Sequence, residues 1–70
     1  ALGEAAFLAL RTREGLAREP FLEEFGTSPE ERWPALEEFV RAGWMSFDGR
    51  RWQLTTRGWL LSDSLFEHFV

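Results

Sequence analysis

The chain has 70 residues, a net charge of −4 and no Cys, and all eight basic residues are Arg. Without Cys there is no disulfide framework, no thiolate metal site and no thiolate-held cluster within this segment. The acidic balance disfavours nucleic acid and anionic membrane surface, because contact with phosphate dominates affinity for both. No apolar run in these 70 residues approaches the ~20 residues of a membrane span, and none is expected to be a signal peptide. A chain of this size buries only about 60% of its unfolded surface and needs dense apolar packing. Four Trp and seven Phe supply it, each ring burying roughly 150–250 Å². Eleven rings exceed what so small a core easily hides, so some are expected to face a partner.

Residues 2–12 carry Gly3, Ala6, Phe7 and Leu10 at helical spacing, with Glu4, Leu8 and Arg11 on a neighbouring face. Gly15 reads as the stop. Pro20 suits a first helical position, and Phe21, Leu22 and Phe25 form a short stripe that Gly26 closes. Gly15 and Gly26 thus bracket a second helix of under three turns. Ser28-Pro29-Glu30-Glu31 has the pattern of a capping box. Pro34 inside the same helix would remove one backbone hydrogen bond and clash with the preceding turn. Either Ser28 caps a short turn and the main helix restarts near Trp33, or the helix is kinked there; the restart is the preferred expectation. Leu36, Phe39 and Val40 give that helix its buried face and Gly43 ends it. A Schellman ending would pack Trp44 back on Phe39.

A hairpin follows, Trp44–Phe47 and Arg50–Leu54 around Asp48-Gly49, a strong two-residue turn signal. That turn sets Phe47 opposite Arg50 and Met45 opposite Trp52. Alternation puts Met45, Phe47, Trp52 and Leu54 on a buried face and Ser46, Arg51 and Gln53 on a solvated one. Thr55 is a good N-cap. A last helix is expected from Thr56 to about Phe69, with Gly58, Leu61, Leu65 and Phe69 as its buried stripe. Trp59, Phe66 and Val70 lie beside the stripe and widen it. Helices, a hairpin wing and a closing helix make the plan of a small winged-helix-like domain, α+β and mostly helical, over residues 1–70. The chain starts at Ala1, already inside a helical pattern, and reads as part of a longer protein.

Catalytic constellations are nearly absent. His68 is the only His and falls on the polar side of the last helix. A triad or zinc site needs more ligands than one His and no Cys can offer. Glu23-Glu24, Glu30-Glu31 and Glu37-Glu38 are adjacent in sequence, so the members of each pair point apart on a helix and read as solvated faces. A winged helix raises DNA binding, with its third helix in the major groove. Here that helix carries Glu30, Glu31, Glu37 and Glu38 against Arg32 and Arg41, the wrong field for phosphate. Arg50 and Arg51 at the wing tip also serve as ordinary edge-strand protection.

Four stretches together carry a family resemblance: ALRTREGL (Ala9 to Leu16), FLEEFG (Phe21 to Gly26), AGWM (Ala42 to Met45) and above all LTTRGWLLSDSLFEHF (Leu54 to Phe69). The chain resembles the C-terminal domain of oxygen-independent coproporphyrinogen III oxidase-like proteins, the HemN/HemW family. Its closing helix is most similar to the HemW heme-chaperone branch. The resemblance implies a parent that is a cytoplasmic radical S-adenosylmethionine protein of heme biosynthesis or heme trafficking. In that family a three-cysteine motif in an upstream barrel holds a [4Fe–4S] cluster that cleaves S-adenosylmethionine. None of those residues lies in this segment, so it is expected to be a non-catalytic accessory domain with no cofactor of its own. Its partner would be the N-terminal barrel of the same chain, with porphyrin or heme contact left open. The alternative is a free-standing winged helix that binds DNA or a protein. Leu8, Trp59, Phe66 and Val70 provide apolar area beyond what seats the helices, and they are the candidate docking surface.

Overall fold

The computed structural model describes residues 2–69. Six helical segments and three short strands follow in the order α1 (Leu2–Leu10), β1 (Leu16–Ala17), α2 (Arg18–Phe25), α3 (Pro29–Arg32), α4 (Ala35–Arg41), β2 (Met45–Phe47), β3 (Arg51–Leu54), α5 (Thr56–Leu60) and α6 (Ser62–Phe66). The α+β, mostly helical class expected from the sequence is the one observed. α1 stops two residues earlier than its apolar pattern suggests. The Thr12 hydroxyl donates to the Ala9 carbonyl at 2.7 Å and accepts from the Gly15 N–H, so it takes over the helix end.

Helix boundaries follow local chemistry. In α2, Pro20 sits at the third position rather than the first. It is tolerated there because the first four N–H groups of a helix have no internal partner. Glu31 accepts from the Ser28 backbone N–H at 3.3 Å and the Ser28 hydroxyl at 2.7 Å, which fixes the start of α3. Trp33 ends that turn, and Pro34 stands at the cap of α4. α4 ends as a Schellman motif: Trp44 N–H donates to Phe39 C=O and Gly43 N–H to Val40 C=O, both at 3.0 Å. Gly43 has φ +82°, and the rings of Trp44 and Phe39 lie 5.8 Å apart.

The sheet is antiparallel with order β1-β3-β2. β1 is absent from the sequence reading, because two residues are too few to show an alternation. The hairpin register also differs from expectation. Met45 faces Leu54 and Phe47 faces Trp52, so the turn centres on Gly49-Arg50 and not on Asp48-Gly49. Asp48 is the cause: its carboxylate accepts from the N–H of Arg50 at 2.8 Å and of Arg51 at 2.9 Å, which closes the turn one residue later. The shift preserves alternation, so Met45, Trp52 and Leu54 are still buried. Phe47 is the exception. It is 40% exposed and stacks on Trp52 with centroids 4.3 Å apart.

The expected single closing helix is two. Leu61 interrupts it with φ −106° and ψ 13°. α5 starts at Thr55, whose hydroxyl accepts from Gly58 N–H at 3.1 Å and donates to the Gly43 carbonyl at 2.6 Å. One side chain thus ties the end of α4 to the start of α5. Gly58 packs so closely on the Trp44 carbonyl that a Cβ there would overlap it. The core is built on a run of tilted rings: Phe21 on Trp33 at 5.7 Å, Trp33 on Phe69 at 5.0 Å and Phe69 on Phe7 at 5.7 Å, flanked by exposed Phe25 on Phe21 at 4.6 Å and half-buried Phe66 on Phe7 at 4.9 Å. Those separations lie in the favoured range for aromatic pairs.

Candidate functional site

The break at Leu61 decides which apolar side chains face out. It turns α6 relative to α5, so one helical stripe no longer runs from Gly58 to Phe69. Leu65 and Phe69 remain buried, but Leu61 is 40% exposed. Its predicted place in the core stripe is therefore corrected. Phe66 moves the other way: it is half-buried, with its ring on Phe7. Trp59 is 42% and Leu8 65% exposed. Val70 lies outside the described residues.

Trp59, Leu60 and Leu61 form an unbroken exposed apolar run at the α5–α6 junction. Leu60, at 82%, is the most exposed large apolar residue there. The sequence reading passes over Leu60, although a signal was present. It stands about 200° around the helix from Gly58, away from the buried stripe. The end of α1 meets this run through Arg11, whose guanidinium lies 5.4 Å from the Trp59 ring centroid. Beside them is an open cleft of about 350 Å³, lined by Arg11, Thr12, Arg13, Ser46, Gln53, Leu54 and Trp59. The Gln53 amide donates to the Arg13 carbonyl and holds this loop against β3.

A second groove, of about 310 Å³, lies between α4 and the hairpin, over the stacked Phe47–Trp52 pair. Its rim carries two ion pairs, Arg18 with Glu30 at 2.8 Å and Arg41 with Glu37 at 2.7 Å. Burial pushes the Glu30 carboxyl up. Its own backbone N–H and the Arg18 guanidinium outweigh that and hold it below the usual range. Both pairs are compensated, so this groove offers no net charge to a ligand.

His68 is exposed, its ring roughly perpendicular to that of Phe39 with the centroids 5.2 Å apart. Among the described residues no group of three or more His, Asp or Glu is placed to hold a metal ion. No helix among them is long and apolar enough to cross a membrane.

The fold and surface define a small helix-rich α+β domain with an aromatic core and an exposed tryptophan–leucine run. Residues 1–61 match the family model described as the HemN C-terminal domain, and the chain belongs to that family. The match is to the family and draws no line between its oxidase and heme-chaperone branches. No curated protein and no solved structure matches the chain.

Proposed function

We propose that this segment is a non-catalytic, winged-helix-like accessory domain that packs on the radical S-adenosylmethionine barrel of its parent. Membership of a C-terminal domain family supports the arrangement. The exposed Trp59–Leu61 run carries the docking reading, since large apolar area left on a small domain marks an interaction surface. The docking surface is Leu8, Trp59, Leu60 and Leu61; Phe66 is half-buried on Phe7 and is not part of it. On this reading the [4Fe–4S] cluster and S-adenosylmethionine belong to the barrel, because such clusters are held by thiolates and this chain has none. We place the parent in the cytoplasm and in heme metabolism, on the heme-chaperone side, from the wording of the closing residues Leu54 to Phe69.

Trp59→Ala in the full-length parent tests the docking. The variant should keep its helical content and become more sensitive to protease at the domain junction. Unchanged cleavage, or loss of the domain's fold, would show that Trp59 is not the docking residue.

A further inference from the structure

Charge is divided unevenly along this fold. Residues 18–41, which carry α2, α3 and α4, hold seven carboxylates against three Arg, a balance of −4 that equals the net charge of the chain. The remaining residues hold five of each sign. Every ion pair among the described residues uses Arg18 or Arg41 from the acidic half. Arg11 and Arg13 have no carboxylate partner among the described residues. Both are exposed, and they are the only charged residues lining the cleft beside Trp59. A guanidinium over an aromatic face keeps its in-plane N–H donors for another partner, and their fork matches a carboxylate.

We infer that the cleft beside Trp59 receives carboxylates: the surface that covers Trp59 presents Asp or Glu side chains to Arg11 and Arg13. This rests on the docking reading above, and the occupant is the domain that precedes this one in the parent chain. Trp and Arg together are the residue types that dominate interface energies, the ring supplying area and the guanidinium orientation. The acidic α2–α4 half of a second copy would offer the same chemistry. Membership of a C-terminal domain family favours the preceding domain over a second copy as the occupant.

Arg13→Glu in the full-length parent is the test. Among the described residues Arg13 takes part in one side-chain hydrogen bond, from the Gln53 amide to its backbone carbonyl, and that bond survives the substitution. Amide hydrogen exchange in α5 should quicken by roughly tenfold in Arg13→Glu and little in Arg13→Lys. Raising salt from about 0.05 to 0.5 M should bring the unsubstituted protein toward the variant. Leu60→Asp, at a side chain that is 82% exposed, reports on docking independently. If Leu60→Asp quickens exchange and Arg13→Glu does not, the docking face stands and its acidic partner is wrong. If neither does, both readings fall. Self-association seen by light scattering and abolished by Arg13→Glu would assign the cleft to a second copy and overturn the occupant named here.

Discussion

The Arg11 guanidinium lies between two rings, 5.4 Å from the centroid of Trp59 and 6.0 Å from that of Phe7. One side chain at the end of α1 therefore braces α5 against the core. Cation–π contacts at exposed sites contribute about 0.5–1 kcal/mol. Arg11→Ala should cost the domain about that much in a denaturant titration. Arg11→Lys should cost less, because the ammonium keeps its charge but not the flat face. Equal stability of Arg11→Ala and the unsubstituted protein would remove the brace from the account.

Gly43 is required by backbone conformation and not by space. Its φ is +82°, and a Cβ there would meet only an Arg57 nitrogen at 3.8 Å. The left-handed region costs other residues about 1–2 kcal/mol, and a β-branched side chain more. Gly43→Val should lower stability by at least about 1 kcal/mol. A change within error in a denaturant titration would mean that the Schellman ending does not hold.

Local chemistry made much of this fold readable. Ser28 with Glu31, Gly43 with Trp44 on Phe39, and Thr55 before Gly58 each announce a helix end through hydrogen bonds among near neighbours. Contacts between distant segments were hidden. β1 exists because Leu16 and Ala17 meet Trp52 and Arg51 across the chain. The break at Leu61 carries neither Gly nor Pro, so a 100° periodicity read straight through it. That break also decides which apolar side chains are exposed. Leu8, Trp59 and Leu60 lie off the core stripes of their helices, so their exposure is legible in the sequence. The exposure of Leu61 is not, because it follows from the break itself.

Asp48 should make the hairpin sensitive to acid. The N–H groups of Arg50 and then Arg51 hold its carboxyl below the ordinary aspartate range. A depressed folded-state value means that the stabilisation is complete above the unfolded value, about 4. It is lost as the pH falls through the lower folded value. Asp48→Asn keeps an acceptor oxygen but cannot titrate. Stability followed from about pH 6 to pH 3 should fall more steeply in the unsubstituted protein. Glu30 shifts in the same direction and is common to both proteins, so the difference isolates Asp48. Parallel curves would rule out the carboxylate's role in the turn.

The domain should not bind duplex DNA. Residues 29–41, which hold α3 and α4, carry Glu30, Glu31, Glu37 and Glu38, and phosphate contact needs the opposite field. Fluorescence anisotropy at physiological salt should show no binding tighter than about 10 µM. A tighter, salt-sensitive complex would favour a free-standing DNA-binding module.

The central claim is that Trp59 is covered in the parent protein. Hydroxyl-radical footprinting of the full-length parent measures this directly, because the domain carries its own standards. Trp33 and Trp52 are buried, at 7% and 4% exposure, whereas Trp59 is 42% exposed in the domain by itself. The docking account predicts that Trp59 in the parent is oxidised about as slowly as Trp33 and Trp52, with Leu60 protected alongside it. Fast oxidation of Trp59 and Leu60, well above those two standards, would contradict it.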